Sequence, residues 1–289
     1  MLIQIKKTWE FEEMQSGPQT KGKMSRRWSG LAQLSLVEHS LCPLDVSASL
    51  VENLVHDAAY LYLDRNRHMR QAKARVIMPG GLSASDEFYL WGLLALTFAQ
   101  PEPGGSLHAT PHYCLRQLGV IDQHASRGGE QYRLFEKAIE RLSQVTYLND
   151  RFYDPIRKEH RKVGFGFLSY SLPLDSESCR AWHIAWDPIF YDIVRATGGS
   201  YRFDLATYRD LDPASRRLFL LLSKILSRRD SSPRFDVRHL TVNVLGFSPS
   251  LAIRNMKVKL WRCVERMIEV EVISPGGKES LFRKAGPGE

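Results

Sequence analysis

Three segments decide the fold: ASRRLFLLLSKILSRR (214–229), RHLTVNVLG (238–246) and LAIRNMKVKLWRCVERMIE (251–269). Each carries apolar residues at the spacing of a helix that buries one face. Asp212 and Pro213 stand just ahead of the first. A polar turn, SSPR, and a short strand, FDV, separate the first from the second; FSPS opens the third. Beyond them, VEVIS and ESLFRK can form a short hairpin across SPGGK. Helix, short strand, helix, turn, helix and β-ribbon is the order of a winged helix-turn-helix.

The same order occurs upstream. DEFYLWGLLALTFAQ (86–100), SLHAT, HYCLRQLG (112–119) and EQYRLFEKAIERLSQ (130–144) read as helix, strand, helix and helix, followed by strand-like VTYLNDRFYD, VGFGFLSYSL and RAWHIAW. Leu118-Gly119 answers Leu245-Gly246, 127 positions on, and Glu140-Arg141-Leu142 answers Glu265-Arg266-Met267, 125 positions on. Both glycines sit where a helix must stop and the chain must turn, which suits a residue tolerant of left-handed backbone. An internal repeat of this kind predicts an α+β fold of two tandem winged-helix domains; two unrelated α+β lobes of similar length are the alternative. Residues 1–30 lack a sustained apolar period and read as a mobile tail. The N-terminal domain is then 31–200, with LAQLSLVEHSLCPL (31–44) as its leading strand, and the C-terminal domain is 201–289. LVENLVHDAAYLYL is ambiguous between helix and strand. The run Arg65, Arg67, Arg70, Lys73 and Arg75 can touch phosphates or form a solvated face.

Composition supports a soluble chain. The 289 residues are 43% hydrophobic, and no window approaches the length of a membrane span. The N-terminus lacks the order of a signal peptide, so a cytoplasmic protein is expected. Cys42, Cys114, Cys179 and Cys263 are scattered, without C-x-x-C spacing, which argues against a zinc module or disulfide scaffold. The formal charge of +8 is uneven. Residues 1–80 hold 11 cations against 8 anions, 81–200 hold 12 against 14, and 201–289 hold 17 against 10. A local basic excess is the footprint of nucleic-acid binding, although a basic balance also serves plain solubility.

The third helix of the second copy sharpens the charge into residues. Ile253, Met256, Leu260, Val264 and Met267 share one stripe, widened by Trp261 and Ile268. Opposite lie Arg254, Asn255, Lys259, Arg262 and Arg266, the last four a continuous ladder; Arg and Lys can grip phosphates or guanine, and Asn can read adenine. Leu251, Val258 and Glu265 interrupt it. Lys257 flanks it, over a phosphate, and Arg238 is a further DNA-contact candidate. An exposed amphipathic helix with solubilising cations is the bland alternative. In the first copy, Phe135, Ala138, Ile139 and Leu142 face inward. Arg133, Lys137, Arg141 and Gln144 face outward, diluted by Glu136 and Glu140, so a partner-protein surface competes with DNA. IRKEHRKV supplies a presumed wing with Arg157, Lys158, Arg161 and Lys162, whose cations would hold the phosphate backbone.

Nothing asks for an enzyme or a cofactor. The P-loop pattern is absent, and Gly277-Lys278 is followed by Glu279, which has no hydroxyl for magnesium. No paired histidines suit a metal-dependent nicking site, and His183 reads as a strand residue. HASR (124–127) matches a His-x-x-Arg spacing of tyrosine recombinases, a pattern of only two fixed residues.

These residues resemble a known family. Over roughly 34–274 the chain is similar to plasmid replication initiators of the replication initiator protein A family. LSLVEHSLCPL (34–44) resembles its opening strand, and SASDEFYLWGLLAL its first N-terminal helix. WDPIFYDIV followed by FDLATYRDLDPASRRLFLLLSKIL (203–226) resembles its bridge, through Phe203-Asp204-Leu205, Tyr208, Leu211 and Arg216-Arg217-Leu218. Two departures stand out: Glu38-His39-Ser40 replaces the family's Glu-Pro, and the short end after Ile273 leaves a reduced second wing. The resemblance implies a DNA-binding initiator of DNA replication that binds double-stranded origin repeats in the bacterial cytoplasm. It implies recruitment of host helicase or polymerase factors and repression of its own promoter. It also implies homodimerisation through the N-terminal winged domain and main DNA contacts from the C-terminal one. A winged-helix transcriptional regulator shares the fold and charge but not the bridge; a DNA-nicking or recombining enzyme is the alternative from another class.

Overall fold

A computed structural model describes residues 2–3, 29–64, 66–121, 129–173, 180–228 and 232–273. The architecture is mixed α/β. The leading hairpin joins β3 (Leu54–Leu63) to β4 (Met69–Met78); β4 pairs with β6 (Thr146–Asp154) and β6 with β7 (Glu159–Gly166), so the sheet order is β3-β4-β6-β7, all antiparallel. Alternation sets its faces: Ala58, Tyr60, Ala74, Val76 and Met78 point into the core, while Val55, Leu61, Lys73 and Arg75 point to solvent. The segment left ambiguous at 50–63 is therefore largely strand, because the basic run after it supplies a pairing partner.

A single turn, α1 (Val46–Ser49), precedes β3, and between β4 and β6 in sequence lie α2 (Asp86–Phe98), β5 (Ser106–Ala109), α3 (Pro111–Gln117) and α4 (Gly129–Ser143). Every residue of α2 from Asp86 to Thr97 is buried. Its apolar residues run all round the helix, as suits one packed on every side. A second sheet of order β5-β9-β8 unites β5 with β8 (Leu168–Ser171) and β9 (Trp182–Trp186). The strand expected over 163–172 is thus cut in two, its first part belonging to β7 and its second to β8.

The second half contains α5 (Pro188–Arg195), β10 (Ser200–Asp204), α6 (Leu205–Asp210) and α7 (Pro213–Leu226). Beyond them come β11 (Phe235–Asp236), a π-helical turn (His239–Val244) and α8 (Ile253–Glu269). Local chemistry starts these helices. Asp187, Asp204 and Asp212 each accept backbone N–H groups at the N-cap, and Pro follows at the first position of α5 and α7. Gly119 and Gly246 adopt φ of +70° and +81°, the left-handed turns their repeat positions required. No strand forms over 270–272, because the chain leaves α8 in a turn, and the hairpin across SPGGK (274–278) lies outside the described residues.

The N-terminal stretch differs most from expectation. Within the tail predicted for 1–30, β1 (Leu2–Ile3) pairs with β11, and Ser29 and Gly30 open β2 (Ser29–Gln33), which pairs with β10. The leading strand ends at Gln33 rather than running to Leu44, because the Gln33 side chain accepts from the backbone of Ser35 and Leu36 and turns the chain into a 3₁₀ turn (Leu36–Glu38). Residues 34–44 then lie against the second half: Ser40 N donates to Asn243 O (2.7 Å), Leu44 N to Gly246 O (2.8 Å), and Lys224 Nζ to Leu34 O (2.7 Å). The β2–β10 ladder crosses the boundary expected at 200/201.

Candidate nucleic-acid interface

The site is built on α8. Met256, Leu260, Cys263, Val264 and Met267 are buried, which anchors one face of the helix on α7 and its neighbours. Ile253, expected on that stripe, is 45% exposed, because it opens the helix beyond the reach of the core; Cys263 takes the inward position instead. Arg254, Asn255, Lys259 and Arg262 are exposed on the far side, and Lys257 is half-buried on the flank. Among the described residues Arg254, Lys257 and Arg262 form no ion pair, and Lys259 Nζ lies 5.3 Å from the Phe247 ring centroid. These charges are free for an incoming anion. Arg266 leaves the ladder: Nη1 donates to Glu269 Oε2 (2.7 Å) and Nη2 to the Asp210 carbonyl (3.3 Å), which ties α8 to the end of α6. Arg238 is exposed and donates to the Pro249 carbonyl (2.9 Å), so it braces the turn that leads into α8.

The α4 face is weaker than its sequence suggests. Phe135, Ala138, Ile139 and Leu142 are buried as the periodicity requires. Arg133 is held by Glu130 (2.6 Å), and Arg141 is folded back onto Asp86, with Nε to Oδ2 and Nη2 to Oδ1 both 2.7 Å. Asp86 is buried, so Arg141 belongs to the packing between α2 and α4. Lys137 alone of the three cations is exposed without an acidic partner among the described residues.

The basic hairpin read as a wing belongs to the four-stranded sheet. Arg157, Lys158, Arg161 and Lys162 sit on the β6–β7 hairpin of the four-stranded sheet, because β6 finds a partner in β4 and is drawn away from the β5-β9-β8 sheet. The three-stranded sheet has a connection of its own, β8–β9, part of which (174–179) lies outside the described residues. Three of the four cations meet acids on the same hairpin: Arg157 with Asp154 (3.1 Å), Arg161 with Glu159 (3.8 Å) and Lys162 with Asp150 (3.3 Å). Lys158 is exposed with φ +57°. The β3–β4 turn, with Arg67, and Arg70 at the start of β4 lie at the same end of this sheet, since β6 runs parallel in direction to β3. Only pairing across the sheet could show that juxtaposition; the two basic runs are far apart in sequence.

Other groups can be placed. His183 lies in β9 and stacks on His108, with ring centroids 4.1 Å apart. HASR (124–127) and Gly277-Lys278 lie outside the described residues. Among the described residues no three His, Cys, Asp or Glu side chains gather as a metal site, and no helix is long and apolar enough to cross a membrane. Cys42, Cys114 and Cys263 are buried free thiols. Burial pushes each thiol up to about 12, Cys42 against the opposing pull of Arg217.

No family model matches the chain, and no curated protein matches it. Among solved structures, the crystal structure of selenomethionine derivatives of domains 2 and 3 of RctB is similar, with a TM-score of 0.47 and 14% identity, covering 81% of this chain and 84% of that one.

Proposed function

We propose that this chain is a plasmid-type DNA replication initiator that binds repeated duplex sites at an origin, recruits host helicase or polymerase factors and represses its own promoter. It acts by binding alone, without a cofactor, in the bacterial cytoplasm. In this reading residues 31–200 and 201–289 form two winged-helix units, the first supporting homodimerisation and the second reading DNA.

One observation carries the reading: α8 buries one face and presents Arg254, Asn255, Lys259 and Arg262 on the other. A helix so divided can seat in the major groove while its own core holds it on the protein. Arg and Lys take guanine edges or phosphates and Asn takes adenine. Lys257 and Arg238 hold the adjoining backbone, and Lys137, with the hairpin cations Lys158, Arg157, Arg161 and Lys162, adds sequence-independent contact.

A plasmid carrying only this gene and its flanking repeats tests the proposal. It should replicate in a suitable host, and the purified protein should footprint the repeats. Repression without replication would favour a transcriptional regulator. Relaxed or covalently trapped supercoiled DNA, after incubation with magnesium, would favour a nicking or recombining enzyme.

A further inference from the structure

We infer that Val258 is a specificity-determining residue of α8 that reads the 5-methyl group of a thymine; this rests on the DNA-binding reading of α8. The cations explain attraction to any duplex. They do not explain the residue at the centre of the outward face.

At about 100° per residue, the buried positions Met256, Leu260, Cys263, Val264 and Met267 define one direction around α8, and Val258 lies diametrically opposite. It is 39% exposed. Arg254 and Asn255 stand one turn before it and Arg262 one turn after, so the apolar patch is ringed by groups that bind base edges or phosphates. Towards the C-terminus the same face turns acidic at Glu265 and Glu269. The first half of the helix therefore approaches DNA most closely, with Val258 at its point of contact.

Base chemistry matches this arrangement. In the major groove adenine offers N7 and N6 to an Asn amide, and thymine is the base that offers a methyl group to an apolar side chain. Asn255 and Val258 are three residues apart, so their side chains are neighbours on the helix surface. Their separation suits one A·T pair or two adjacent base pairs, the amide on adenine and the isopropyl group on the thymine methyl. A β-branched residue at an exposed mid-helix position lowers helix propensity relative to Ala. Contact with a partner is a use that offsets this cost.

Selection of bound duplexes from a random-sequence library, with the full-length protein, provides the site. Each thymine in it is then replaced singly by deoxyuracil, which removes only the methyl. The wild-type protein should lose about fourfold in affinity at one thymine, the ~0.8 kcal/mol of one buried methyl. Val258→Ala should bind thymine and uracil equally there, while Asn255→Ala should relax preference at an adenine in the same or the adjacent pair. Uracil tolerated at every position by the wild type, or an unchanged penalty in Val258→Ala, would overturn the assignment and leave α8 as a DNA-binding helix. Failure to select any duplex would overturn the DNA-binding reading itself.

Discussion

Arg217 of α7 closes on Glu87 of α2, Nη2 to Oε1 at 2.6 Å and Nε to Oε2 at 3.2 Å, with both side chains 5% exposed. The same guanidinium donates to the Leu245 carbonyl (2.7 Å) and to Cys42 Sγ (3.2 Å). One cation therefore joins the leading segment, the first helical unit and the turn before α8. Burial works against its charge, and Glu87 and Cys42 more than offset that, so it stays protonated. Arg217→Ala would strand a buried carboxylate and should lower unfolding stability by about 3–5 kcal/mol. Arg217→Met combined with Glu87→Leu should recover most of it. Urea denaturation of the three proteins checks this, and a loss below about 1 kcal/mol in Arg217→Ala would count against a junction held by this pair.

Gly246 turns the chain beneath that guanidinium. Its φ is +81°, and a Cβ there would run into Arg217 Nη1 and come within 2.9 Å of the Cys42 carbonyl. Gly198 has a similar φ of +76° with open space around it. Gly198→Ala should cost about 1–2 kcal/mol from backbone strain alone. Gly246→Ala should cost at least twice as much, measured by the same denaturation, because the strain comes with a collision between rigid groups.

Acid should loosen the junction before it affects the surface. His39 lies buried between Tyr147, to which its Nε2 is bonded at 2.9 Å, and the Ser40 carbonyl; Tyr60, His56, Arg217 and Lys224 also face it. Burial holds His39 down to about 4, and His56, bonded to Ser40 Oγ, is likewise held down to about 4 by burial and then by Arg217. Both folded values lie below the unfolded one near 6.5. Their contribution is therefore complete above pH 6.5 and is lost progressively as pH falls towards 4. Between pH 6.5 and 5 each should remove roughly 2 kcal/mol. His39→Gln/His56→Gln should flatten that part of the stability profile, whatever its stability at pH 7; an equally steep fall would place the titration elsewhere.

Arg141→Ala separates packing from binding on α4. Asp86 would lose its bidentate partner, with a cost of about 2–3 kcal/mol in thermal or urea unfolding. Affinity for duplex DNA should be unchanged at temperatures where the variant is folded, whereas Lys137→Ala should weaken DNA binding with no effect on stability.

What could be read from the residues beforehand follows from periodicity. The helices at 129–143 and 253–269 are legible because their apolar positions repeat over three or more turns, the helix at 86–98 because a long apolar run opens on Asp86 and Glu87, and the left-handed Gly119 and Gly246 because a glycine after a helix has few other uses. Arg141 and Arg266 misled because helical spacing places a cation on an outer face without showing what a neighbouring element brings to it. Asp86 and the Asp210 carbonyl come from other helices. The sheet that holds the hairpin at 156–163 is hidden for the same reason: strand partners are chosen across the chain, and β4 lies in a basic run that reads equally as a solvated face. Arg217 enters the sequence only as part of the Arg216-Arg217-Leu218 run, and its neighbours in space alone reveal a buried tie.

In the proposed function the outer face of α8 grips DNA, and the salt dependence of binding shows whether it does, with a duplex selected by the full-length protein, for the wild type and for Lys259→Ala/Arg262→Ala. If both cations neutralise phosphates, the slope of log K against log salt should become shallower by about 1.8, some 0.9 per contact, with folding stability unchanged. An unchanged slope and affinity in the double variant would show that α8 is not the DNA-binding helix.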